Sequence, residues 1–201
     1  METRLTNVAI LEDHPLVAES IKARLEKHPV TYCTILPSLS AMATLTFRPA
    51  AIDLWIIDLE LGNETAWDLI TNLRLKCATT GILVYTMHDT PWIRARLDKE
   101  GVTLAVSKSD PVEELDLAIE AFFNNKSYFS TSFREAQRPN TTLTQREIDI
   151  LRLITKGAST AEISAQLSIS ANTVMTYRKR LMEKFKVHKA TELANLARSL
   201  L

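Results

Sequence analysis

The sequence predicts a two-part chain: a doubly wound α/β sandwich on a parallel sheet, followed by a small all-α domain of four helices. Three observations lead there. Across the first 125 residues, short apolar runs alternate with segments of helical period, the pattern of repeated strand-helix units. The run Asp53-Leu54-Trp55-Ile56-Ile57-Asp58 is apolar on both faces, as a strand covered by helices on both sides must be. Charge also divides the chain. Residues 1–125 carry 11 Lys+Arg and 18 Asp+Glu, a balance of −7, while residues 126–201 carry 13 and 6, a balance of +7. A formal net charge of zero therefore joins an acidic half to a basic half, and the basic half asks for a polyanionic partner, nucleic acid first among them.

Taken in order, the first strand is Val8-Ala9-Ile10-Leu11, which runs into Glu12-Asp13. His14-Pro15 opens a helix to about Lys27, since proline is tolerated in a first helical turn. A second apolar run spans Tyr32 to Leu36, and Ser38 caps a predicted helix through about Phe47, ended by Arg48-Pro49. The third strand ends at Asp58. Leu61, Trp67, Leu69, Ile70 and Leu73 predict a helix ending near Lys76. Ile82-Leu83-Val84-Tyr85 is the fourth strand and leads to Thr86. Pro91 opens a helix to about Glu100, stopped by Gly101, and Thr103-Leu104-Ala105-Val106 leads through Ser107 to Lys108. Asp110-Pro111 opens the last helix, with Leu115, Ala118, Ile119 and Phe122 inward.

Residues 1–125 are thus read as the first domain. Tyr128-Phe129-Ser130 is placed to pack back on it, but residues 126–142 as a whole read as linker, being polar and without a sustained period. Residues 143–201 form the second domain. Thr144-Gln145-Arg146-Glu147 and Ser159-Thr160-Ala161-Glu162 both have capping-box spacing, Gly157 ends the helix between them, and Ser170 caps a third helix to about Lys186. A fourth helix is predicted from about Lys189 to Leu201, with Leu193, Leu196, Ala197 and Leu200 apolar. Two short helices across the turn Ser168-Ile169-Ser170 make a helix-turn-helix, and Arg178, Lys179, Arg180, Lys184 and Lys186 cluster on its second helix.

Cys33 and Cys77 have no metal-ligand spacing and read as buried, reduced thiols. Met1-Glu2-Thr3-Arg4 lacks a cationic region followed by an apolar signal core, and no run approaches the length of a membrane span, so a cytoplasmic chain with no membrane partner is expected.

In an open α/β sheet, chemistry gathers at the carboxyl ends of the strands. Here that edge would hold Glu12, Asp13, Asp58, Thr86 and Lys108. Three carboxylates on adjacent strand ends repel unless a cation sits among them, which suits a hard divalent ion such as Mg²⁺. A carboxylate beside such an ion can act as a nucleophile toward phosphorus and form an aspartyl phosphate. Thr86 and Lys108 could then bind the phosphoryl oxygens. Any one of these residues alone reads as a cap, a backbone-bonded hydroxyl or a solvated cation; the conjunction of four strand ends carries the reading.

Residues 6–124 resemble the receiver domains of two-component response regulators, in Glu12-Asp13-His14-Pro15, Asp58, Thr86 and Lys108-Ser109-Asp110-Pro111. The resemblance implies a flavodoxin-like sheet of order 2-1-3-4-5 and phosphorylation of Asp58 by a histidine kinase. It implies Mg²⁺ placed by Glu12 and Asp13 with Asp58 and the backbone carbonyl of Glu60, a switch hydroxyl on Thr86, and Lys108 paired with the phosphoryl group. Three positions depart from the family pattern. Gly62 stands where proline is usual, which predicts a more flexible loop, and Ala66 stands where glycine is common. Ala105 replaces an aromatic that reorients with the switch hydroxyl, so that rotamer toggle is excluded. Residues 143–201 resemble the four-helix output domain of the NarL/FixJ (LuxR-type) family in Leu143-Thr144-Gln145-Arg146-Glu147, Gly157, Glu162-Ile163, Leu167, Ile169-Ser170, Thr173-Val174, Lys184 and Val187. By that resemblance Met175, Thr176 and Lys179 face DNA bases in the major groove, Thr173, Arg178 and Arg180 mainly touch phosphate, and the last helix is where such domains dimerise. Tyr177 stands where His is usual.

The function these readings imply is a DNA-binding response regulator, a homodimer at least on DNA, with no enzymatic activity beyond phosphorylation and dephosphorylation at its own Asp58. Two other readings compete. A phosphate-ester hydrolase with Asp58 as nucleophile would want an acid two residues later, which Glu60 supplies, but it leaves the basic domain unexplained. A phosphorylation-independent DNA-binding regulator, its receiver kept as a dimerisation scaffold, is suggested by Ala105 and Gly62.

Overall fold

The computed structural model describes residues 6–44, 48–136, 143–185, 187, 189–191 and 193–194. The chain divides into two compact units, Met1–Gln137 and Arg138–Leu201. In the first, the elements run β1 (Thr6–Leu11), α1 (Pro15–Leu25), β2 (Val30–Leu36), β3 (Leu54–Ile57), β4 (Glu60–Leu61), β5 (Glu64–Thr65), α2 (Trp67–Lys76), β6 (Gly81–Thr86), α3 (Pro91–Lys99), β7 (Leu104–Ser107), α4 (Glu113–Phe123), β8 (Tyr128–Phe129) and α5 (Thr131–Ala136). The main sheet is parallel throughout, in the order β2-β1-β3-β6-β7-β8. Its first five strands have the predicted order 2-1-3-4-5.

The central strand β3 shows why the sheet is covered on both sides. Side chains alternate across a strand, yet Leu54, Trp55, Ile56 and Ile57 are all buried. On one face Val8, Ile10, Leu54, Ile56, Leu83 and Val106 pack with Ala18, Ile21 and Leu25 of α1 and with Leu115, Ala118 and Ile119 of α4. The core fixes the strand ends, and the strand ends fix the polar edge.

Three segments differ from the sequence reading. After Pro37 the chain forms a 3-10 helix over Ser40–Thr44, none of it buried, in place of a regular helix to Phe47; residues 45–47 lie outside the described ones. Residues 40–44, with none of them buried, have little to stabilise an α-helical nucleus. The loop after Asp58 is a two-stranded hairpin of β4 and β5 that takes in Leu61, which the sequence reading counted with the following helix. Gly62 (φ +60°) opens its two-residue turn and Asn63 keeps negative φ, the requirement of a type II′ turn, in which proline has no place. Finally, the segment 126–142, read as linker from its polarity, contributes β8 and α5 to the first unit, while residues 137–142 lie outside the described ones. Tyr128 N–H donates to Thr103 O, Ser130 N–H to Ala105 O, and the Phe133 side chain is fully buried.

The second unit contains α6 (Gln145–Thr155), α7 (Thr160–Leu167) and α8 (Ala171–Phe185). Both predicted capping boxes form, Thr144 with Glu147 and Ser159 with Glu162, and Gly157 takes the left-handed conformation (φ +79°) after α6. Ile150, Leu151, Ile154, Ile163, Val174, Leu181 and Phe185 are buried. Residues 190, 191, 193 and 194 are helical, with Leu193 buried. The rest of the predicted fourth helix, including Leu196, Ala197 and Leu200, lies outside the described residues.

Candidate functional site

At the carboxyl edge of the sheet, β1 delivers Glu12, β3 delivers Asp58, β6 ends in Thr86 and β7 leads into Lys108. Glu12 (2% exposed), Asp58 (7%) and Thr86 (0%) are buried. Lys108 Nζ lies 2.6 Å from Asp58 Oδ2 and 2.7 Å from Glu12 Oε2, so one ammonium is shared between two acids. Burial alone would lower the Lys108 pKa; the hydrogen bonds to Asp58 and Glu12 outweigh it and raise the value, which keeps the amine charged. Lys108 N–H also donates to Thr86 O, tying the ends of β6 and β7 together.

Asp13 joins the group through its neighbours. One donor atom each from Glu12, Asp13 and His14 can lie within 4.8 Å of the others. Asp13 Oδ1 is enclosed and 2.8 Å from His14 Nδ1, yet receives no hydrogen bond. A buried carboxylate oxygen met only by the His14 imidazole, beside the second acid Glu12, is what a hard divalent cation would complete.

Two groups around this edge, His88 and Ser107, were not singled out from the sequence. His88 Nε2 lies 2.9 Å from Glu60 Oε2, and His88 N–H donates to Thr86 Oγ1 at 3.3 Å. The hydrogen bond to Glu60 raises the His88 pKa against the effect of burial. Ser107 Oγ donates to Asp89 Oδ2 and Ser107 N–H to Ser130 Oγ, each at 3.0 Å. Glu60 itself meets the site through its N–H, 3.4 Å from Asp58 Oδ1. The available signal was position: His88 follows Thr86 by two residues, and Ser107 immediately precedes Lys108.

In the second unit, α8 presents Met175 (60% exposed), Thr176, Lys179 and Arg180 to solvent. Thr173 is half-buried, and its hydroxyl and N–H meet Ser170 Oγ at 2.8 and 3.0 Å, which caps the helix. Two of the clustered cations turn inward. Arg178 Nη2 donates to Ala158 O at 2.9 Å, and Lys184 Nζ reaches Glu147 Oε2 at 2.7 Å. Burial opposes ionisation of Glu147, but Lys184 and the Thr144 cap prevail and lower its pKa. Lys186 lies outside the described residues. Among the described residues no helix is long and apolar enough to cross a membrane.

Known proteins match both units. Residues 8–120 match the family model of the response regulator receiver domain, and residues 141–197 that of the bacterial regulatory proteins of the luxR family. The chain is 26% identical to the response regulator UvrY of Escherichia coli strain K12 over 204 aligned residues, covering 96% of this chain and 94% of UvrY. It is likewise 26% identical to the DNA-binding transcriptional activator EvgA of the same strain, covering 95% of this chain and 97% of EvgA. RcsB from Salmonella enterica serovar Typhimurium, solved bound to promoter rprA in the presence of phosphomimetic BeF3−, aligns with a TM-score of 0.75 at 25% identity, covering 98% of this chain and 100% of that one.

Proposed function

The chain belongs to the DNA-binding response regulators of two-component systems, a receiver domain joined to a LuxR-type helix-turn-helix domain, and we propose that phosphorylation of Asp58 by a histidine kinase controls how α8 engages DNA. The carrying observation is the three-way contact of Asp58, Lys108 and Glu12 at the buried sheet edge. In the transfer, an Asp58 oxygen attacks the phosphorus of a phosphohistidine. The new P–O bond forms as the P–N bond breaks, and the imidazole leaves with the electron pair. Lys108, already charged, moves its hydrogen bond to a phosphoryl oxygen, and the Thr86 hydroxyl donates to another. Glu12, Asp13, Asp58 and the backbone carbonyl of Glu60 would hold Mg²⁺, which when bound neutralises the entering phosphoryl charge. Hydrolysis of the aspartyl phosphate at this same site is the only catalysis proposed.

In the second unit, Met175, Thr176 and Lys179 face base edges of double-stranded DNA. Thr173 and Arg180 flank them toward the phosphates, with the part of the Arg178 guanidinium not engaged by Ala158 O on the other flank. A homodimer on DNA and a cytoplasmic location accompany this reading. Ala105 favours a second reading: it is buried where an aromatic would toggle, and it pairs in register with Phe129 of β8, so a scaffold receiver with no phosphorylation control also fits. One experiment separates them. DNA binding and sedimentation are measured for wild type and Asp58→Ala, with and without beryllofluoride plus Mg²⁺. Tighter binding or dimerisation of wild type alone supports the switch; identical behaviour of both proteins in every condition supports the scaffold.

A further inference from the structure

The geometry points to a half-site read at its centre through thymine methyl groups, with an adenine contacted by Asn172 on one side and a guanine contacted by Lys179 on the other. This rests on α8 entering the major groove and goes beyond that reading by naming the bases. Residues 172, 175, 176 and 179 recur at helical spacing and form one stripe, opposite the buried Val174, Leu181 and Phe185. All four stripe residues are exposed. The stripe rises about 10 Å along the helix axis, the length of about three base-pair steps.

Its centre is apolar. Met175 offers a flexible thioether chain, 60% exposed, with no burial of its own to account for it. Thr176 donates its hydroxyl proton to Asn172 O at 3.0 Å, so the donor is spent inside the helix and the methyl group is left as outward surface. Of the four bases, only thymine shows a methyl group in the major groove, and apolar side chains are its natural contact. The two ends are polar. The Asn172 amide makes no hydrogen bond among the described residues and has the donor-acceptor pair that matches adenine N7 and N6. The Lys179 side chain is 81% exposed, its nearest acid the Glu183 carboxylate at 3.9 Å, and suits guanine O6 and N7. Among the described residues of α8 no cation competes for the centre of the stripe: Arg178 is turned toward Ala158 O, and Arg180 lies on the flank.

The test uses the full chain with beryllofluoride and Mg²⁺. Duplexes are selected from a randomised library, and each thymine of the enriched site is then replaced by uracil, which removes only the methyl group. We expect one or two central thymines whose replacement weakens binding about three- to fivefold. Met175→Ala should erase that sensitivity at one of them. Asn172→Ala should make the flanking adenine indifferent, with thermal stability unchanged in both variants. Selected sites without central thymine, or uracil duplexes bound as tightly as the originals, overturn the inference while leaving DNA binding intact. A protein that enriches no sequence, with or without the mimic, overturns the underlying reading of α8 and the inference with it.

Discussion

Asp58 does not stand alone at the sheet edge; one lysine holds it and Glu12 in a shared charge arrangement. Lys108→Ala would leave two buried carboxylates facing each other, and removing one partner of a buried ion pair typically costs about 3–5 kcal/mol. We expect the variant to melt below wild type, and Mg²⁺ to raise its melting temperature more than it raises that of wild type, because the metal then becomes the chief counter-charge. Equal Mg²⁺ shifts in the two proteins would show that the ion binds elsewhere. His88 gives a pH dependence with a defined sign. Its pKa is raised, chiefly by the Glu60 hydrogen bond, so its contribution to stability is fully present below the unfolded value of about 6.5 and disappears as pH rises through the folded value. The melting-temperature gap between wild type and His88→Gln should therefore narrow with increasing pH. A His88 imidazole that titrates below 6.5 by NMR would contradict this.

At the level of elements, β8 and α5 attach directly to the strand that bears the site lysine. Ser107, next to Lys108, is held on one side by Asp89 of the β6–α3 loop and on the other by Ser130 between β8 and α5, while the Arg94 guanidinium of α3 lies 3.4 Å from the centre of the Phe129 ring. Ser130→Ala would leave the buried Ser107 N–H without its acceptor, at a cost of about 1–3 kcal/mol. If this contact carries the phosphoryl signal, the variant should also show a smaller beryllofluoride effect on DNA binding than wild type, read by the same titration. These elements also show what the sequence could and could not reveal. Glu12, Asp58, Thr86 and Lys108 were legible because each adjoins an apolar run, so strand and chemistry are read from consecutive residues. The strand β8 was not: two residues carry no period, and what defines it is pairing with residues 104 and 105, far back in the chain. Gly62-Asn63 did carry a hairpin signal, which the absence of the usual proline obscured. The inward turns of Arg178 and Lys184 needed the packed neighbours Ala158 and Glu147, which no count of positive charges supplies.

Across the whole molecule, the division of charge has a measurable consequence. Binding of the basic unit to DNA should weaken steeply with salt, because displaced counterions set the slope. Arg180→Ala should reduce that slope, whereas Lys179→Ala should weaken a selected site more than random DNA. The division of the fold has another. β8 occupies the outer flank of β7, where Thr103 O, Ala105 O and Ser107 N–H find their partners. A fragment ending at Asn125, where the composition changes, would lose that strand, whereas one ending at Ala136 would keep it. We expect the shorter fragment to self-associate in sedimentation and the longer one to do so less. The flank it uncovers is a row of unpaired backbone groups, a template on which another chain can add a strand. A dimer seen with the shorter piece would then be an artefact of the cut, and the first residues of the apparent tether are better regarded as the hem that keeps the sheet from unravelling into its neighbours.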